Sequence, residues 1–156
     1  MDTKTALALT AGVFIAIWTY ATLAIVPDLS PWVGVAAMGC YFASGGKMPG
    51  FQKTVFATLS GMIYVWVMMQ LMPRFGGSTT LYAILLGLIA ILIVLQSKVP
   101  LLSFIPGAFV GAAVTVGNGA GAELGHLLYV GVSLVIGAAL GFAAETTAAS
   151  LATSKR

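Results

Sequence analysis

Charge is what this chain has least of. Seven basic and four acidic residues among 156 leave it 7% charged against 60% hydrophobic, with a mean hydropathy of +1.04. A water-facing surface cannot be built from that composition, which excludes a soluble domain and implies an integral membrane protein in contact with the lipid bilayer. Cysteine is nearly absent too. Cys40 alone, inside an apolar stretch, excludes a disulfide framework and a cysteine-rich metal site. The net charge of +3 comes from single basic residues scattered between apolar runs, not from a basic patch, so no nucleic-acid partner is expected. Catalytic signatures are missing as well. There is no HExxH, no phosphate-binding loop and no suggestive Ser/His/Asp set, and Asp28, Glu123 and Glu145 are too dispersed for an acid/base pair. No enzyme, cofactor or metal site is expected.

What is present in abundance is apolar sequence of membrane-spanning length. About 20 helical residues cross a bilayer core, and six such stretches are predicted at about 5–26, 32–48, 54–72, 78–97, 100–118 and 125–146. Lys4 precedes the first as it would in a signal peptide, but the run continues to Val26 without a small-x-small cleavage pattern, so a retained span is expected. With the N-terminus inside, Lys4, Lys47, Lys53, Lys98, Lys155 and Arg156 face the cytoplasm and Arg74 alone lies outside. That asymmetry is the positive-inside signal of a multi-pass protein with both termini cytoplasmic, in a bacterial inner membrane. Making segments 2 and 5 re-entrant would move Lys47, Lys53 and Lys98 outside and weaken it to four against three.

The two halves also echo each other. VPDLSPWVG at Val26 and VPLLSFIPG at Val99 share Val26/Val99, Pro27/Pro100, Leu29/Leu102, Ser30/Ser103 and Gly34/Gly107, and the same shift of 73 residues adds Gly46/Gly119, Ser60/Ser133 and Ile63/Ile136. Each half then holds three spans, and an odd number of spans forces the second copy to enter the membrane upside down. The expected fold is therefore all-α: six transmembrane helices in a 3+3 inverted-topology repeat. Its halves fall at about 1–75 and 76–150, with 151–156 as a cytoplasmic tail. Inverted repeats are a common framework of transporters, with the solute site where the halves meet.

Segment 4, LYAILLGLIAILIVLQ, is aliphatic all round and reads as a lipid-facing helix. Gly137 and Gly141 in segment 6, and Gly107 and Gly111 in segment 5, have the small-xxx-small spacing of close helix contacts. Segments 2 and 5 are the repeat-related pair and the richest in helix breakers: Pro31, Gly34, Gly39, Gly45, Gly46, Pro49 and Gly50 in one, Pro106, Gly107, Gly111, Gly117, Gly119 and Gly121 in the other. Irregular backbone at membrane depth must be buried in protein or line a wet cavity, so both are expected to be broken helices at the centre. The alternative is that glycine and proline merely help crowded helices bend.

The residues expected to line a pathway are Gly34, Cys40, Tyr41 and Ser44 from segment 2, Tyr64 and Trp66 from segment 3, and Pro106, Gly107, Thr115 and Asn118 from segment 5. Trp18, Tyr64 and Trp66 sit at middle depth, where their ordinary role would be packing with the polar tip bonded to a carbonyl. No charge falls at the predicted midplane, which argues against a strongly ion-coupled pump and for a neutral or weakly charged polar solute. Glu123 and His126, at the predicted outer mouth, lie three apart, and a neighbouring carboxylate would raise the histidine's pKa; they are the candidate pH gate, against the plainer reading of a solvated loop pair. They have the Glu-x-x-His spacing of half a di-iron site, but a chain with one histidine cannot complete one. Asp28 and Glu145 read as interface charges.

With a GGK after segment 2 and FIPGAFVGAAVTV in segment 5, the layout resembles a family of small bacterial inner-membrane proteins known mainly as a domain of unknown function. In helix number and size it is also similar to the small acid-gated urea channels, and in repeat logic to the larger urea transporters, without a urea-transporter signature. The resemblance implies a bacterial transport protein; the expected function is a channel or facilitator for a small urea-like or amide-like solute. A chain of this size has little bulk around a pore, so a homo-oligomer is expected. The other reading is a non-transporting membrane subunit that assembles with or regulates another protein. A broken, wet centre would favour transport; a dry, continuously helical one, the subunit.

Overall fold

The computed structural model describes residues 1–119 and 123–153, all helix, turn or short connection. Gly121, Lys155 and Arg156, counted above among the helix breakers and inner charges, lie outside the described residues. Six α-helices follow in order: α1 Thr3–Ala24, α2 Pro31–Ala43, α3 Lys47–Leu71, α4 Thr79–Leu95, α5 Ile105–Gly117 and α6 Leu124–Thr153. Local chemistry sets most of their ends. Asp2 caps α1 by accepting the Lys4 and Thr5 amides, and the Ser78 hydroxyl caps α4 by accepting the Leu81 amide. Pro31 and Pro106 occupy the first turns of α2 and α5, where a missing N–H costs nothing.

Four helices, α1, α3, α4 and α6, are long and apolar enough to cross a membrane. The expectation for segments 2 and 5 needs correction. Each is a 13-residue helix, about 20 Å long at 1.5 Å per residue against a hydrocarbon core of about 30 Å. The run predicted at 32–48 stops at Ala43 because Gly45 and Gly46 take φ of 97° and 67°, and the run predicted at 100–118 does not become α-helical until Ile105, after two 3₁₀ turns around Pro100. Neither helix is broken inside. α2 runs unbroken through Gly34 and Gly39, and α5 through Gly107 and Gly111: the breakers act at the ends, Gly34, Gly107 and Gly111 serve close packing, and Gly39 faces open space. The two short helices match in length, and the glycines that follow them, Gly46 and Gly119, have φ of 67° and 66°.

Packing concentrates on α2, α3, α5 and α6. A Cβ on Gly137 of α6 would overlap the Gly34 carbonyl of α2, and a Cβ on Gly111 of α5 would overlap the Thr58 carbonyl of α3; only glycine permits either approach. Gly141 receives the face of Tyr41, and Gly61 the backbone at Ala108. These pairings make α2 run parallel to α6 and α5 parallel to α3. One apolar core joins Val33, Ala37, Met62, Val114, Leu127, Val130 and Leu134; a second joins Ala57, Val65, Met68, Ile89, Ile93, Ala108 and Ala112.

α1 and α4 are peripheral. Leu9, Val13, Ile17 and Tyr20 on α1, and Ile84, Leu88, Ile91 and Leu95 on α4, are exposed apolar side chains suited to acyl chains. Thr10 donates to the Ala144 carbonyl at 3.0 Å, and Leu9, Val13, Thr147 and Leu151 share one groove, so α1 is antiparallel to α6 and begins beside its last turns. All-helical, with apolar faces turned outward, the chain is an integral membrane protein.

Candidate functional site

Two groups of polar side chains meet between helices at the ends of α2. At its N-terminal end the Ser30 amide donates to Ser133 Oγ of α6 at 3.1 Å, and the Ser30 hydroxyl donates to Asn118 Oδ1, just past α5, at 2.6 Å. Trp18 Nε1 of α1 donates to the Pro31 carbonyl at 2.9 Å. Three chain segments beside α2 thus meet at its first residues. Ser133 itself donates back to the Tyr129 carbonyl, the usual way a hydroxyl is satisfied inside a membrane helix.

At the C-terminal end the Tyr41 hydroxyl donates to Glu145 Oε2 of α6, and the same oxygen accepts the Lys47 amide at 2.8 Å. Ser44 Oγ lies 2.7 Å from the Tyr41 carbonyl and 2.9 Å from the Gly50 carbonyl, and accepts from Thr54 of α3 at 3.0 Å. The two ends are separated by the 13 residues of α2, roughly 20 Å of helix.

Between them the centre is apolar. Val33, Ala37, Met62, Val114 and Leu134 fill it, and the buried hydroxyls of Thr58 and Thr115 are spent on carbonyls of their own helices, Thr54 and Gly111. One polar atom is an exception. The indole N–H of Trp66, which packs against this apolar layer from α3, is buried and has no acceptor.

The residues singled out in the sequence sort accordingly. Gly34 lies at the α2–α6 contact; Cys40 and Tyr41 are buried in α2; Ser44 and Asn118 belong to opposite polar ends. Gly107 is packed against Phe104 and Ala57, and Pro106 is exposed. Tyr64 does not join this centre: its hydroxyl donates to Gln96 Oε1 at 2.9 Å, between α3 and the end of α4. Glu123 and His126 are both exposed, Glu123 immediately before α6 and His126 in its first turn. Among the described residues no cluster of three metal-ligating side chains exists.

Beyond the interface charge that the sequence suggests, Glu145 bonds to α2 and to the first amide of α3, and Ser30 and Ser133 join the site without standing among its expected residues. A signal was present for the serines, since both stand at repeat identities. For Glu145 there was none, because its partners are a tyrosine 104 positions earlier and a backbone amide.

Known proteins share this pattern of sequence over nearly its whole length. Residues 8–149 match the family described as a protein of unknown function, DUF1097. The chain belongs to that family. Inner membrane protein YcdZ of Salmonella typhimurium is 29% identical over 156 residues, covering 99% of this chain and 93% of the relative. Inner membrane protein YcdZ of Escherichia coli K12 is 29% identical over 153 residues, covering 97% and 90%. No solved structure matches.

Proposed function

We propose that this DUF1097 member is a non-enzymatic membrane facilitator for a small neutral or weakly charged polar solute of the urea or amide kind, and that the present conformation is its closed state. The observation that carries this reading is Trp66. A buried donor without an acceptor is disfavoured by about 1–3 kcal/mol, and this one packs from α3 against the apolar cluster shared with α2, α5 and α6. A solute carbonyl passing between α2, α3, α5 and α6 would accept it. Apolar constrictions that open by wetting are one of the established forms of gate.

The reading includes a 3+3 inverted repeat, supported by the equal lengths of α2 and α5, the matched φ of Gly46 and Gly119, and the exchange by which α2 packs on α6 and α5 on α3. Placement in a bacterial inner membrane follows the names of the YcdZ relatives. Both termini are assigned to the cytoplasm because α1 begins beside the end of α6, and Lys4, Lys47 and Lys53 then lie inside. Homo-oligomerisation is proposed from the small bulk of one chain.

A second reading has its own support. The unbroken short helices and apolar centre are what a non-transporting assembly or regulatory subunit would have. Stopped-flow light scattering on proteoliposomes challenged with urea, formamide, glycerol, ammonium and guanidinium separates the two. Selective acceleration over empty vesicles for one solute supports the facilitator; folded protein that accelerates none supports the subunit.

A further inference from the structure

We infer that Glu145 is a clasp: its carboxylate, carried on α6, grips the turn between α2 and α3 and holds the C-terminal end of α2 shut against α6. The turn is built for this. Gly45, Gly46 and Lys47 have consecutive φ of 97°, 67° and 55°, the last an uncommon left-handed value for a side chain larger than asparagine. The result aims the Lys47 amide, one of the orphan donors that open α3, at Glu145 Oε2 2.8 Å away. Gly46 permits the approach, since a Cβ there would meet the two carboxylate oxygens at 2.8 and 2.9 Å.

The other partner of that oxygen is the Tyr41 hydroxyl. Tyr41 is completely buried, with its ring on Gly141 and edge-on to Phe142, centroids 6.3 Å apart. One carboxylate therefore ties three helices: α2 through Tyr41, α3 through Lys47, and α6 through its own backbone. From there to the Ser30–Ser133 bond at the far end, α2 meets α6 through Val33, Ala37, Val130 and Leu134 and through glycine contacts. The Ser44–Thr54 bond ties that end of α2 to α3 and not to α6, so once Glu145 lets go the α2–α6 packing keeps no directional bond there. Releasing Glu145 lets α2 pivot on Ser30 and admits water to its buried face.

That this motion opens a solute path rests on the facilitator reading; the clasp itself does not. Cys40, the single cysteine, is buried next to Tyr41 and serves as a native probe. The experiment measures its rate of modification by a positively charged methanethiosulfonate in proteoliposomes. Glu145→Gln and Tyr41→Phe are each expected to raise the rate by about tenfold, the population shift from losing one charge-assisted hydrogen bond. Glu145→Gln weakens both bonds to the carboxylate and Tyr41→Phe deletes one of them, so the double variant is expected to be slower than the product of the two single effects. Arg74→Gln, exposed and remote from the clasp, is expected to leave the rate unchanged.

Unchanged rates in folded Glu145→Gln and Tyr41→Phe overturn the clasp, as do additive effects in the double variant. If Glu145→Gln fails to fold, Tyr41→Phe, which removes one oxygen from an otherwise intact ring, decides between the two outcomes by itself. Urea flux in the same vesicles separates the two claims. Faster labelling with no flux in any variant keeps the clasp and removes the facilitator; flux with no change in labelling does the reverse.

Discussion

Trp66 brings a large apolar ring and one hydrogen-bond donor into the apolar layer, and only the ring is satisfied there. Trp66→Phe keeps much of the ring and deletes the donor. Its thermal unfolding in detergent is expected to stay within about 1 kcal/mol of the parent, because the lost contact area is offset by removing an unpaired group. If solute passes this point, flux falls severalfold. At the N-terminus, the Asp2 carboxyl is held below its usual value near 3.8, first by its hydrogen bond with the Thr5 side chain and then by the Thr5 amide. A depressed carboxyl pKa contributes stability that is present above the unfolded value and lost as pH falls through the folded one. Amide exchange in the first turn of α1, corrected for intrinsic rates, is therefore expected to show lost protection only in acid below the usual carboxylate range, with Asp2→Asn abolishing that dependence.

Helices here are placed by glycines of opposite character. Gly111 and Gly137 stand where another helix backbone leaves no room for a Cβ, whereas Gly87 on α4 faces open space. Gly111→Ala and Gly137→Ala are expected to destabilise by about 1–3 kcal/mol through overpacking. Gly87→Ala is expected to stabilise by about 0.5–1 kcal/mol through helix propensity. Thermal unfolding of the three variants checks both signs. The same glycines explain what the sequence could and could not disclose. Apolar length found all six helices, and the uniform aliphatic surface of α4 marked it as peripheral. Glycine content points segments 2 and 5 to the centre and suggests breakage, whereas Gly34, Gly107 and Gly111 serve approach and Gly39 faces open space. Whether a glycine ends a helix or lets another helix in depends on φ and on a partner far along the chain, and neither is encoded locally. Gly46, with a positive φ and Glu145 against it, does both jobs.

At the scale of the whole molecule, successive helices run in alternating directions, so the start of α1 and the end of α6 share one end of the bundle. Single cysteines introduced at Lys4 and Arg74, in a Cys40→Ser background, are expected to react with an impermeant thiol reagent from opposite faces of the membrane, Lys4 from the cytoplasmic side. Labelling of both from one face would overturn the assigned topology. The polar residues tell a less local story. Ser30 with Asn118 and Ser133, and Tyr41 with Glu145, come from positions 88 to 104 apart, and such pairings exist only once the helices have assembled. The resulting picture is an apolar centre about 20 Å deep with polar groups at each end of α2, an unpaired donor packed against it and a carboxylate clasp at one margin.

The most direct test of that picture is urea and formamide flux by stopped-flow light scattering in proteoliposomes containing the parent protein, Glu145→Gln or Glu145→Gln combined with Trp66→Phe. The account predicts flux above empty vesicles that is fastest in Glu145→Gln and falls severalfold when Trp66 is also replaced. Vesicles containing folded Glu145→Gln protein that are no faster than empty ones would contradict it.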